Sequence, residues 1–290
     1  MSETTASNTT IRVGGVPEHF NLPWLTAIER SSFDDLGIAV EWIDFPGGTG
    51  AIMSALAAGE IDMATPLTEG AITAIANGNP SKLVSMWVES PLLWGVHVAG
   101  SSTAQTIDDV QGQRFAISRF GSGSELMSRV LADDLGWALT DDSWVPVGNL
   151  DGALAALPNG EAEVFLWNLS MTQPHVTDGT FKRVGVLPTP WPSFAVAASD
   201  AFLRDDPGLP KAVARIARHA ASIVKGWDDL DHVVEQRYDL GKGGAAEWAQ
   251  TIQWTDIDAV VDLDVVSSIA ERMHRLGRID ALPVGEDLLA

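Results

Sequence analysis

The chain has 290 residues, of which 46% are hydrophobic and none is cysteine, and its 39 acidic against 18 basic residues give a formal net charge of -21. A negative charge of that size opposes nucleic acid and anionic membranes by long-range repulsion, and the missing cysteine excludes disulfides, thiolate metal sites and cysteine nucleophiles. The hydrophobic share is that of a soluble globular protein, and the carboxylate excess suits an ordinary acidic surface as well as one kept hydrated in high salt.

Residues 1–10 are polar, with no basic region, apolar run or twin arginine of a secretion leader and no cysteine for lipidation. They read as a flexible N-terminus on a protein that is cytoplasmic as it stands, and periplasmic or extracellular if a leader has been removed. Apolar runs then alternate with helical patterns. Strands are expected near Ile11–Val13, Ala39–Trp42, Ile61–Ala64, Leu83–Met86 and Trp94–Val98, with helices after Leu22, Thr49 and Thr68. That is the rhythm of an α/β sheet. A loop from Gly100 to Gln105 opens a second cycle, with strands near Arg114–Ile117, Val145–Val147, Val164–Leu166 and Lys182–Val186 and helices after Ser122 and Leu150. A strand at Phe194–Ala198 returns the chain to the first sheet, and Leu209–Trp227, Leu230–Tyr238, Ala245–Ile252 and Val265–Leu276 follow as helices. The expected division is a discontinuous first lobe, 11–99 with 193–290, and an inserted second lobe, 100–192. Two connecting strands, near Val96–Ala99 and Ser193–Val196, would form the hinge. No internal repeat, low-complexity segment or run of 18 apolar residues is present.

The stretch from Pro46 to Ala64 couples a glycine turn to a helix start, a helix stop and a new strand. Gly47, Gly48 and Gly50 let backbone approach a ligand, Thr49 is placed as the helix N-cap, and Gly59 supplies a left-handed stop. Free N–H groups at such a helix start attract anions and carbonyl oxygens. Glu60 and Asp62 are assigned to the helix exit and strand entry.

This stretch resembles the glycine loop and following segment of the type 2 periplasmic-binding-protein fold, in the branch serving nitrate, sulfonate, taurine and thiamine-precursor uptake. Val16–Phe20, Leu67–Gly70, Val88–Pro91, Ser118–Ser124, Phe165–Trp167 and Thr189–Trp191 fall in the order of a smaller subgroup that also occurs in fungi, over residues 11 to 255. The resemblance implies a two-lobed α/β protein with a two-strand hinge and C-terminal helices, a small-molecule ligand, an ABC permease as partner if the protein is exported, and a monomer. Where subgroup relatives tend to carry an acid after Phe-x-Trp, this chain has Asn168.

Ligands of open α/β sheets collect at the carboxyl ends of strands. From the first lobe those loops offer Glu18, His19, the backbone of Gly47, Gly48, Thr49 and Gly50, then Thr68, Glu69, Glu89 and Trp94; from the second, Arg119, Ser122, Gly123, Ser124, Trp167, Asn168 and Trp191. Ser118–Ser124 resembles an anion cradle at a helix start with Arg119 as its charge, against the plainer reading of a serine-glycine N-cap. Glu18, Glu69 and Glu89 form a carboxylate set suited to amine or amidine donors, unless each is a solvated acid. Trp94, Trp167 and Trp191 are placed to sandwich a planar ligand, with core or lid packing as the alternative. The histidines show no metal spacing, so neither metal nor cofactor is expected.

The function expected from these residues is capture of a small, planar, amine-bearing solute by hinge closure, an aminopyrimidine related to thiamine being one candidate. An enzyme of the pyrimidine-synthesis or chorismate-dehydrating type on the same lobes, and a cytoplasmic sensor, are the alternatives. No nucleophile–base pair or cofactor lysine marks the enzyme.

Overall fold

The computed structural model describes residues 9–238, 240 and 243–290. Residues 1–8 of the expected flexible terminus lie outside the described residues, whereas Thr9 and Thr10 already belong to the first strand. The described residues divide into two compact units, the first running to Ser90 and resuming at Trp191–Tyr238 and Ala249–Ala290, the second comprising Pro91–Pro190 with Leu240 and residues 243–248.

The first unit contains β1 (Thr9–Gly15), α1 (Leu22–Glu29), β2 (Ile38–Asp44), α2 (Gly48–Ala58), β3 (Met63–Thr65), α3 (Thr68–Ala76) and β4 (Ser81–Val88). The second supplies β5 (Leu93–Ala99), β6 (Phe115–Ile117), α4 (Gly123–Leu135), β7 (Trp144–Pro146), α5 (Leu150–Ala156), β8 (Val164–Asn168), α6 (Leu169–Thr177) and β9 (Phe181–Pro188). β10 (Phe194–Ser199) returns to the first unit and is followed by α7 (Asp200–Asp205), α8 (Leu209–Lys225), α9 (Leu230–Arg237), α10 (Gly244–Thr251) and α11 (Leu263–Arg275).

The first sheet has the order β2-β1-β3-β10-β4, with β1 parallel to β2 and β3, and β10 antiparallel to both β3 and β4. The carboxyl ends of β1 to β4 and the amino end of β10 therefore share one edge. β10 is buried at every position, as a strand covered on both faces must be. On α8, Val213, Ala214, Ala217, Ala220, Ala221 and Val224 recur at three- and four-residue spacing and bury one stripe, while α1 packs against the helix. Trp24, fully buried, lies 5.6 Å from Trp87 and 6.2 Å from Trp42 between ring centroids, so a good share of the tryptophan excess is core packing.

The second sheet has the order β7-β6-β8-β5-β9. Here the strand expectation needs two corrections. β5, assigned to the first lobe from its sequence, hydrogen-bonds antiparallel to β8 and β9 and so lies in the second sheet. Leu240 and residues 243–248, expected with the C-terminal helices of the first lobe, group with the second unit. Two further helices, α6 and α7, carry no helical signal in the sequence. α6 carries Pro174 inside it and polar residues on most faces, and α7 is only six residues long, so neither has the periodicity that marks a helix.

Asp62 holds the entry to β3, accepting from Arg12 Nη2 at 2.7 Å, Arg12 Nε at 3.0 Å and the Arg12 backbone N–H at 2.8 Å. β3 begins at Met63, after this pair, rather than at Ile61. Among the described residues no helix is long and apolar enough to cross a membrane.

Candidate functional site

In the first unit, the loops after β1, β2, β3 and β4 and the segment entering β10 meet at one edge of the sheet, because their strands pair there. Gly15 of β1 is the partner of Thr65 of β3, and Thr65 Oγ1 donates to Asn21 Oδ1 at 3.2 Å, tying the turn His19–Asn21 to the end of β3. Trp87 and Trp254 both donate an indole N–H to the carbonyl of Phe20, at 3.2 and 3.0 Å. The loop carrying Glu18 and His19 is thus fixed from below.

Glu69, 2% exposed, accepts from Trp191 Nε1 at 2.8 Å. Burial raises its pKa to about 7, against the pull of its own backbone N–H and of Trp191. Burial likewise pushes Glu18, at the start of the His19–Asn21 turn, up to about 7. His19 is 3% exposed and held neutral, its pKa pushed down to about 3 by burial. It packs instead, with ring centroids 4.3 Å from Phe20 and 6.0 Å from Tyr238, so it brings no positive charge to the carboxyls. Among the described residues, neither Glu18 nor Glu69 forms a salt bridge. Trp191 itself is buried, with the Arg272 guanidinium 6.0 Å from its ring centroid, and is an anchor for Glu69 before it is a stacking platform.

The glycine loop differs from its sequence reading in one respect. Gly47 is the N-cap of α2, Gly48 takes a left-handed φ of 69°, and Thr49 and Gly50 lie inside the helix. Thr49 does not cap: its Oγ1 accepts from Leu67 N–H at 3.0 Å and joins α2 to the turn before α3. Thr68 is fully buried, its N–H donates to the Ser193 carbonyl, and its Oγ1 has no partner among the described residues. Glu89 stands apart in its surroundings. Its Oε1 accepts from Thr255 Oγ1 at 2.9 Å, and it borders a groove of about 920 Å³ whose other walls are α8 and residues 252–259. The groove walls include neither Glu18 nor Glu69.

In the second unit the carboxyl ends of β6 and β8 and the amino end of β5 share an edge, which brings Ser118–Ser124, Trp167, Asn168 and Trp94 to it. Trp94 pairs with Asn168 and Gly95 with Trp167, so side-chain alternation puts Trp94 and Trp167 on opposite faces. Trp167 stacks on Phe165, 5.2 Å between centroids, against the core that α5 helps to cover. Trp94 lies on the other face, where a Cβ on Gly123 would meet its ring at 2.9 Å. One flat ligand cannot lie between Trp94 and Trp167. The indole N–H of each is nonetheless buried and without a partner among the described residues.

The serines of the expected anion cradle are occupied by the loop itself. Ser124 Oγ accepts from Ser118 N–H at 2.9 Å and meets Ser122 Oγ at 3.0 Å, and Ser122 caps α4 by accepting from Glu125 N–H at 3.3 Å. Asn168 Oδ1 caps α6, accepting from Ser170 and Met171 N–H. Arg119 is exposed. The residue missed at this end is Glu125, 1% exposed, whose Oε2 accepts from Gly121 N–H at 2.6 Å; the spacing Ser122-x-x-Glu125 is that of a capping box, but the carboxylate takes the N–H one residue before the N-cap. No cluster of three or more metal-ligating side chains occurs among the described residues.

Two open-edged sheets, with an inserted second unit and a late strand returning to the first, match known structures over nearly the whole chain. The Candida albicans CA3427 gene product, described as having the generic periplasmic-binding-protein fold, superposes with a TM-score of 0.86 at 23% identity over 97% of this chain and 96% of its own. The fold is that of the type 2 periplasmic binding proteins. A sulfonate-binding protein from Methylobacillus flagellatus matches with a TM-score of 0.76 at 19% identity, covering 98% and 92% of the two chains. The nitrate-binding protein of Synechocystis PCC 6803 matches with 0.70 at 15%, covering 97% and 84%. Residues 94–187 fit the family model described as Ca3427-like PBP, a span confined to the second unit of this periplasmic-binding-protein fold. No curated protein sequence matches the chain.

Proposed function

We propose that this chain binds a small, planar, amine-bearing solute, seated first on the strand ends of the first unit, with closure of the second unit as the trapping step. The observation that carries this reading is Glu69: a buried carboxyl, held by Trp191, with no salt-bridge partner among the described residues. Desolvation makes such a group costly as a lone anion, and an ammonium or amidine supplies the missing charge and donors. Glu18, half-buried and also raised in pKa by desolvation, gives a second acceptor on the neighbouring strand end. Among the proteins that share the fold are binders of sulfonate, nitrate and methylphosphonate. Once these carboxyls are ionised, above about pH 7, an oxyanion is disfavoured beside them, since like charges in a desolvated site repel. An aminopyrimidine of the thiamine-precursor class satisfies both the donors and the planarity.

If exported, the chain would deliver its solute to an ABC permease as a monomer; retained in the cytoplasm, it would act as a sensor. A carboxyl of pKa about 7 is also suited to general acid–base work, which favours an enzyme on the same fold as the second reading.

The test is native mass spectrometry of protein from its own host, followed by calorimetric screening of aminopyrimidines, amino-bearing zwitterions, nitrate, sulfate and alkanesulfonates. Amine-bearing compounds should bind first, and Glu69→Gln should weaken them at least tenfold with the fold intact. Micromolar binding of an oxyanion with no response to any amine would overturn the reading. Arg119→Ala should leave the melting temperature unchanged, as expected of an exposed side chain, and lose affinity only if Arg119 reaches the ligand on closure.

A further inference from the structure

The start of α4 combines features that ordinarily make an anion seat. Thirteen residues long, the helix points its first N–H groups at the Ser122–Ser124 turn, and the positive end of a helix dipole is worth about half an elementary charge. Beside it, Trp94 is 6% exposed, and its ring edge closes on Gly123. The ring atoms that close there are Cη2 and Cζ2; the indole N–H, two bonds from Cζ2, is buried and has no partner among the described residues, so it calls for an acceptor.

The chain places its own carboxylate there. Glu125 Oε2 takes the Gly121 N–H at 2.6 Å, while Oε1 takes Arg129 Nε at 2.8 Å and Nη2 at 2.7 Å. Arg129 is pinned in turn, its guanidinium 4.0 Å from the centroid of the Trp144 ring. The buried negative charge therefore stays at the helix start, and its counter-charge is fixed one turn further along the helix.

We infer that Glu125 is a specificity-determining residue: its carboxylate cancels the positive end of α4 and bars oxyanions from the Ser122–Ser124 turn, leaving the Trp94 N–H to an uncharged acceptor such as a ring nitrogen or carbonyl oxygen. The inference rests on the solute-binding reading and sharpens its ligand class, from a molecule with donors to one with donors at one end and a neutral acceptor at the other. It also gives a physical reason for this chain to part from sulfonate and nitrate binders that share its fold.

Glu125→Gln tests it, keeping the side-chain shape and the acceptor for Gly121 while removing the charge. Calorimetry at pH 7 and low salt, with nitrate, sulfate and methanesulfonate as probes and circular dichroism as the control for folding, should show no binding to the native chain and at least a tenfold gain in the variant. Should the unpaired Arg129 prevent folding, Glu125→Gln with Arg129→Gln removes both charges and should gain in the same direction. An oxyanion bound by the native chain within threefold of the variant overturns the inference, and so does a folded variant that gains nothing. With 4-aminopyrimidine as the amine probe the two readings separate. Amine binding by the native chain without an oxyanion gain in the folded variant sinks only the role of Glu125. An oxyanion gain in the variant, with no amine bound by the native chain, sinks only the amine reading.

Discussion

Trp191 donates its indole N–H to the buried carboxyl of Glu69 at 2.8 Å, joining two residues 122 apart in the chain. This bond ties the first turn of α3 to the segment entering β10 and leaves Glu69 one oxygen free of the indole.

Trp191→Phe keeps the aromatic bulk and removes the donor. It should cost about 1–3 kcal/mol in denaturant unfolding, the penalty for a buried acceptor losing its partner, and raise the Glu69 pKa further. Carboxyl stretching bands followed against pH would report the second effect, and an unmoved titration would mean that the bond does not hold Glu69.

Burial sets opposite pH windows for the carboxyls and histidines of this fold. Glu18 and Glu69 are raised from 4.5 to about 7, so the folded state binds more protons than the unfolded one; their contribution is full below 4.5 and lost as pH rises to about 7. His19 and His97 are depressed from 6.5 to about 3 and about 4, chiefly by burial, so theirs is present above 6.5 and lost as pH falls through those values. Glu69→Gln should therefore gain stability relative to the native chain between pH 4.5 and 7 and no more above 7. A difference that stays flat across that range would show Glu69 to be solvated.

α2 and α3 approach so closely that a Cβ on Gly70 would lie 2.5 Å from Thr49 Cγ2. Gly70→Ala should destabilise by about 1–3 kcal/mol through overpacking, outweighing the helix-propensity gain. Thr49→Ser removes the methyl and keeps the hydroxyl that accepts from Leu67, so in that background the same change should be neutral or stabilising. Additive losses in the double-mutant cycle would place the strain elsewhere.

Ser122→Ala should lower stability by about 0.5–2 kcal/mol, because the hydroxyl caps α4 and meets Ser124. A variant that melts like the native chain but binds more weakly would restore the serine to a ligand-contacting role.

The strand-helix alternation and the return of β10 were legible because apolar residues at spacing two and three to four mark elements buried on one or both faces. Which sheet a strand joins was not: β5 reads like its neighbours, and only hydrogen-bonding to β8 and β9 assigns it. At the site, Glu69 is visible as a carboxylate at a strand end, but its burial and its bond to Trp191 depend on distant segments. Trp94 and Trp167 have the same character in sequence and are separated by register alone. Glu125 was readable from its capping-box spacing, yet the serines and glycines before it resemble a cradle more strongly than a cap.

The place of β10 between β3 and β4 imposes an order on synthesis. Until residues 194–199 leave the ribosome, β3 and β4 have no common neighbour and each keeps an unpaired edge, whereas sheet two has all five strands once Pro188 is out. The inserted sheet can thus close while the segment that precedes it waits, although the second unit still lacks its late-arriving residues around Ala245. A nascent chain stalled near Pro190 would carry one finished sheet behind a half-built one, the state in which a chaperone has most to protect.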